Sequence, residues 1–303
     1  MTPPVLLYGH PPPILFREPP GALQVSPLEP AGADLCETPR SPFGSALILA
    51  PPGRLERDWV LARAIQLLPQ GAEIVALGPR DRGGARIAET LRGFGCDVSD
   101  EPRRKHRICR TNRPAQPVGL EAALEAGAMR LDSRLGLWTQ PGVFSWDRLD
   151  AGTALLLEAL PALEGYGADL GCGLGILAVR ALQSDRVTSL ELWDIDRRAI
   201  SCARRNVSDS RALFRHGDVR RSEGGGADLD FVLMNPPFHD GGREDRALGL
   251  AFIEVAARRL KSGGACWVTA NRHLPYEHAL TSAFRQVRLA AENRAFKVYE
   301  ARR

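Results

Sequence analysis

The apolar positions of this chain fall into short runs of strand length, separated by longer segments with apolar residues at helical spacing. In the first half, Ala46-Leu47-Ile48-Leu49 predicts a strand. Residues 55–68 follow, with Val60, Leu61, Ala64, Ile65 and Leu68 on one helical face. Residues 73–77 read as a strand, 86–94 as a helix, and Cys96-Asp97-Val98 as the start of another strand. In the second half, strands are expected at 166–168, 190–193, 212–215, 231–234 and 265–269, with helices at 176–182 and 247–260. Two strand-like runs, 287–289 and 296–299, end the chain. Alternation of strand and helix implies parallel α/β layers. Residues 1 to about 53 are rich in proline, with runs at Pro11-Pro12-Pro13 and Pro51-Pro52, and read as partly extended and weakly ordered. Residues 116–132 read as a link. The pattern divides the chain into domains at 1–125 and 126–303.

The most informative stretch is Asn235-Pro236-Pro237-Phe238, which follows the buried run Phe231-Val232-Leu233-Met234. Each proline fixes its own φ, and Pro237 drives Pro236 into an extended conformation. The turn therefore holds one amide and one carbonyl still beside an aromatic ring. A planar amine offers two hydrogens, which the Asn235 side-chain oxygen and the Pro236 carbonyl can accept. The Phe238 ring can stack on the ring system that bears the amine.

A second motif is Asp169-Leu170-Gly171-Cys172-Gly173-Leu174-Gly175, between an expected strand and an expected helix. Glycines let backbone approach a ligand closely, and the helix start offers N–H groups to an anion. The glycines alternate as G-x-G-x-G with an acid two positions earlier, unlike the dinucleotide fingerprint, which favours S-adenosylmethionine as the ligand. Asp169 can hold the cofactor's amine. Asp194 closes the next strand, near the spacing at which an acid accepts from ribose hydroxyls. Asp196 reads as a solvated neighbour. Asp218 follows the third strand and is either an acceptor for the adenine amine or a plain loop acid.

Taken in this order, the motifs resemble class I methyltransferases of the small-domain type. Two flanks bring the likeness closer: Pro141-Gly142-Val143-Phe144-Ser145 with Leu149-Asp150-Ala151-Gly152-Thr153 upstream, and His239-Asp240-Gly241, the segment 270–276 and Phe296-Lys297-Val298-Tyr299 downstream. Together they resemble bacterial ribosomal RNA guanine-N2 methyltransferases, nearest the 16S small-subunit group. The resemblance implies two tandem Rossmann-like domains, the N-terminal one a degenerate copy that positions substrate. It implies methyl transfer from S-adenosylmethionine to the N2 amine of a guanosine, with Asn235, Pro236, Pro237 and Phe238 as catalytic residues. Asp169, Gly171, Gly173, Gly175, Asp194, Asp218 and Asn235 would bind cofactor. Related enzymes with the same turn methylate 23S RNA, adenine N6 or a glutamine amide, and a non-catalytic ribosome-assembly factor on this fold is a further alternative.

Composition narrows this little. The 303 residues carry a net charge of +4, with 44% hydrophobic and 25% charged residues, ordinary for a globular protein. No apolar run approaches membrane-spanning length, the N-terminus lacks a signal-peptide pattern, and the six cysteines are scattered without metal-like spacing. These features lead to the expectation of a cytoplasmic, metal-free protein. The densest basic segment is Arg103-Arg104-Lys105-His106-Arg107, followed by Arg110 and Arg113. It is either an RNA contact, through Arg103, Arg104 and Arg107, or a solvated face. His239 is a further candidate for contact with RNA or the base, or else shapes its loop.

Overall fold

The computed structural model describes residues 3–40, 43–221, 228–237, 239–240, 243–244, 246–273 and 276–303. Its two units are Met1–Met129 with Gln140–Gly142, and Arg130–Thr139 with Val143–Arg303.

The first unit runs β1 (Val5–Tyr8), β2 (Leu23–Gln24), β3 (Ser45–Leu49), α1 (Arg54–Leu67), β4 (Glu73–Pro79), α2 (Ile87–Gly93), β5 (Ser99–Arg103), β6 (His106–Asn112) and α3 (Leu120–Ala126). The sheet order is β2-β1-β3-β4-β6-β5. β1, β2, β3 and β4 pair in parallel with one another, and β6 is antiparallel to both β4 and β5. Three expectations change. The proline-rich start contains β1, a strand paired on both sides with Leu6 and Leu7 buried, whose four residues are too few to show a period. The strand expected at 96–98 begins at Ser99, because the Cys96 amide still donates to the Leu91 carbonyl at the exit of α2. The presumed link carries α3, whose Leu120, Ala123 and Leu124 pack with Trp59 against the core.

The second unit begins with β7 (Arg130–Asp132) and β8 (Leu137–Thr139), then α4 (Ala151–Ala159), β9 (Gly165–Leu170), α5 (Ile176–Ala181), β10 (Val187–Asp194) and α6 (Arg197–Asn206). It continues through β11 (Ala212–His216), β12 (Leu229–Met234), β13 (His239–Asp240), β14 (Arg243–Glu244) and α7 (Arg246–Arg259). It ends with β15 (Leu260–Asn271), α8 (Tyr276–Ala283), β16 (Gln286–Glu292) and β17 (Phe296–Arg302). The main sheet is seven-stranded, in the order β11-β10-β9-β12-β15-β17-β16. β17 is antiparallel to both neighbours. On β12, Phe231 and Leu233 face a core with Leu156, Leu177 and Ile200, while Val232 and Met234 face one with Ile253, Tyr276 and Leu280. Both faces of the sheet are covered, which explains the uninterrupted apolar runs. Chain order reverses at β9, so the ends of β9, β10 and β12 open onto the crevice where ligands of doubly wound sheets bind.

The first unit repeats this plan with one strand fewer. β1 takes the place of β9, β3 that of β12, and the β6–β5 pair that of β17–β16. After β1 comes Gly9-His10-Pro11, with no acid-glycine loop, and Ala50-Pro51-Pro52 stands after β3 where Asn235-Pro236-Pro237 stands after β12. The copy keeps the proline turn and lacks its amide. No described helix is long and apolar enough to cross a membrane.

One buried charge network sits in the second unit. Glu191 accepts from Arg259 Nη2 at 2.6 Å and from Trp193 Nε1 at 2.6 Å, and Tyr166 donates its hydroxyl to the same carboxylate. Both charged side chains are almost wholly buried. Burial and this carboxylate push the Tyr166 phenol up to about 12. Glu191→Ala should cost about 3–5 kcal/mol in urea unfolding by removing the buried carboxylate that Arg259, Trp193 and Tyr166 share, whereas Glu191→Met with Arg259→Met should recover most of it.

Candidate active site

At the ends of β9 and β12 lies an open cleft lined by Phe144, Asp150, Thr153, Gly173, Leu177 and Asn235 among others. The glycine loop is tied to β10. Gly171 and Cys172 donate their amides to the Trp193 carbonyl at 2.8 and 2.9 Å, and Gly173 donates to Asp194 Oδ2 at 2.9 Å. Gly171, Gly173 and Gly175 all have left-handed φ, at 77°, 52° and 82°. A Cβ at Gly175 would meet Val207 at 2.9 Å, whereas one at Gly173 would meet nothing within 4 Å. Gly175 therefore serves close packing, and Gly173 borders open space.

Three acids surround this loop. Asp169 is fully buried, and neither carboxylate oxygen has a hydrogen-bond partner. Burial, and then the charge of Asp194, raise its pKa to about 8, against the opposing pull of the nearby Ala178 amide. A buried carboxylate in this state lacks a cation. Asp194 accepts from the amides of Gly173 and Asp196 at 2.9 and 2.8 Å. Burial and the Asp196 charge raise its pKa to about 6, against the pull of those amides. Its role in holding the glycine loop was not foreseen, and its remaining lone pairs can accept hydroxyls. Asp196, expected in solvent, is instead 8% exposed, caps α6 through the Arg198 amide and pairs with the Arg198 guanidinium at 2.8 Å. Asp218 is turned to Arg220, with contacts of 2.7 to 3.0 Å. Burial pushes its pKa up, but those contacts outweigh it and leave a net depression. Cys172 is buried, and burial with the Asp194 and Asp169 charges keeps its thiol protonated, as befits a packing residue.

Asn235 is held in a way the sequence reading missed. Its amide nitrogen donates to Asp150 Oδ2 at 2.8 Å and to Thr153 Oγ1 at 2.9 Å. Asp150 is also the N-cap of α4, accepting from the Thr153 amide at 2.8 Å. A carboxylate can only accept, so the amide must present its nitrogen to Asp150. Its oxygen is left buried and without a partner. The turn thus holds an unfilled acceptor in a fixed orientation. Asp150 followed three positions later by Thr153 is a helix-start signal that marks the cap of α4, although nothing local ties it to Asn235. Nearby, Phe144 is 61% exposed over the cleft, and the next residue, Ser145, has φ 57°. Phe238, expected to receive the base, lies outside the described residues, as do Leu274 and Pro275; for His239 only the backbone, in β13, is described.

Of the basic residues proposed to touch RNA, Arg103 and Arg104 are exposed at the β5–β6 turn. Arg107 instead pairs with Asp100 across the hairpin, with Nε 2.8 Å from the carboxylate. It serves the sheet edge rather than a free surface.

Residues 134–300 match the model of the methyltransferase small domain. A ribosomal RNA small subunit methyltransferase C of Chromohalobacter salexigens is 32% identical over 90% of this chain and 82% of its own length. Another, from Shewanella loihica, is 36% identical over 54% of this chain, a match spanning 47% of that relative. Among solved structures, a T. thermophilus 16S rRNA N2 G1207 methyltransferase in complex with AdoMet and guanosine aligns with TM-score 0.75 and 24% identity, covering 89% of this chain and 75% of that one.

The unpaired Asp169 sets a testable pH dependence. Its folded pKa of about 8 lies above the ordinary 3.8, so the native state binds its proton more tightly and loses stability as pH rises from about 4 through 8. Asp169→Asn should remove that loss. The variant should be more stable than the parent by roughly 2–4 kcal/mol at alkaline pH, with a much smaller gap near pH 4, in denaturant unfolding.

Proposed function

The chain belongs to the methyltransferase small domain family, and from that premise we propose that it methylates the exocyclic N2 amine of a guanosine in 16S ribosomal RNA, using S-adenosylmethionine. The observation that carries this reading is the orphaned, oriented Oδ1 of Asn235, a residue that lines the cleft. It can accept one amine hydrogen and the Pro236 carbonyl the other. With both hydrogens held, the amine's lone pair is free for alkylation. Asp150, behind the amide, polarises it and strengthens Oδ1 as an acceptor while the amine gains positive charge. The proton then released passes to water beside Oδ1, so no strong general base is needed. Placement supplies most of the acceleration, for which oriented reactants offer roughly 7–11 kcal/mol.

The cofactor fits the vacant bonding capacity of the site. When bound, it supplies an activated methyl group. Asp169, whose two oxygens are unpartnered, would hold its ammonium, Asp194 would accept from its ribose hydroxyls, and Gly173 would leave room for its body. Asp169 and Asp194 together favour a ligand with net positive charge, which a sulfonium has. Asp218 can accept from the adenine amine only by sharing its oxygens with Arg220. The catalytic domain is 126–303; the domain 1–125, without an acid-glycine loop, positions the RNA. The Chromohalobacter relative's name supports the small-subunit substrate, and the reaction belongs in the cytoplasm, where ribosomal subunits are assembled. Phe238 receives the flipped base, which leaves its stack at a cost of a few kcal/mol.

Incubation with methyl-labelled S-adenosylmethionine and, separately, small subunits, large subunits, naked ribosomal RNAs, transfer RNA and release factor tests this. N2-methylguanosine from the small subunit or its RNA is the expected product; label in adenine, large subunits or protein, or none, overturns the reading. Asn235→Ala should keep cofactor affinity and lower turnover by roughly a hundredfold or more.

A further inference from the structure

We propose that the tip of the β5–β6 hairpin in the first unit is a docking site for the phosphate backbone of RNA. The proposal rests on the methyl-transfer reading only for the identity of that RNA. Arg103 pairs with His106 in register, so Arg104 and Lys105 alone make the turn. Both have left-handed φ, 45° and 63°. Two consecutive left-handed residues define the type I′ hairpin turn, which Asn-Gly adopts without strain. Arginine and lysine carry a steric penalty there. The chain thus keeps two long cations at the positions least suited to them, a local conflict of the kind found at functional sites.

The turn is braced. His106 Nδ1 donates to the Arg104 carbonyl at 2.9 Å, and the Arg80 amide donates to the Lys105 carbonyl at 2.9 Å. Arg80, Arg103, Arg104 and Lys105 are all exposed. Among the described residues, no acid lies within ion-pair distance of any of the four, although Asp81 and Glu101 are close in sequence. The other cations of the segment are engaged: Arg107 by Asp100, Arg110 by the Phe16 ring and Glu73, Arg113 by backbone carbonyls. Because His106 pairs with Pro79, the tip lies at the carboxyl end of β4, the edge at which sheets of this type bind ligands.

The chemistry favours a phosphate chain. Guanidinium forks match phosphate geometry. Residues 103–105 carry no aromatic ring for base stacking and the imidazole of His106 is tied to the Arg104 carbonyl, while neither β5 nor β6 exposes a large apolar side chain to anchor a protein partner. Contact through phosphates makes this site indifferent to sequence and sensitive to salt.

The test uses the full chain with Arg104→Asn and Lys105→Gly together, the pair the turn itself prefers. Thermal unfolding should rise by a few degrees or stay level. Affinity for naked 16S RNA, read by fluorescence anisotropy across salt, should fall about tenfold near 0.1 M, and the log–log salt slope should shrink by about two. Arg103→Gln, which leaves the turn untouched, should lower the slope by about one. Unchanged RNA affinity and slope in both variants would overturn the proposal. So would loss of binding to assembled subunits with naked-RNA binding intact, since the partner would then be a ribosomal protein. Binding is read without methyl transfer, so a wrong product in the labelling experiment leaves this result standing.

Discussion

The site depends on one contact, the Asp150 carboxylate holding the Asn235 amide nitrogen at 2.8 Å. An asparagine amide can rotate to present either end. A carboxylate behind it removes that choice, because the reversed orientation would set two acceptors against each other. The same Asp150 oxygen caps α4 through the Thr153 amide, so the start of that helix and the direction of the Asn235 acceptor are fixed together. The proline turn holds the backbone, α4 holds the side chain, and the cleft receives an oxygen with no other partner.

The cofactor side of the cleft follows the opposite logic. There the structure gathers acids that repel one another. Asp169 is buried without compensation, and Asp194 and Asp196 add charge. This is unfavourable for the fold and favourable for a cationic ligand, since binding relieves what folding could not. Amides from the glycine loop hold Asp194 in place. The loop and the acid are therefore a single structural unit.

Much of this was legible because doubly wound sheets place their chemistry at strand ends. The run Phe231–Met234 marked β12, and the acid-glycine motif marked the end of β9. What stayed hidden had physical causes. β1 is too short to show a period and is flanked by prolines. α6 did carry a signal, with Ala199, Ile200, Cys202 and Ala203 on its buried face and Asp196 as its cap, but the acid was read as a solvated neighbour of Asp194 instead. The Asp150 clamp joins residues 85 positions apart, a pairing that no local pattern reveals. The basic segment looked uniform in sequence, and only the fold separates the engaged Arg107 from the free tip at Arg103, Arg104 and Lys105.

The most direct measurement is steady-state methyl transfer by Asp150→Ser. Serine also caps helices, so α4 should hold, with unfolding temperature and cofactor affinity close to those of the parent. It cannot enforce the amide's direction, so kcat should fall at least tenfold with little change in KM. An unchanged kcat would contradict the account, because the orientation of Asn235 would then be irrelevant to turnover.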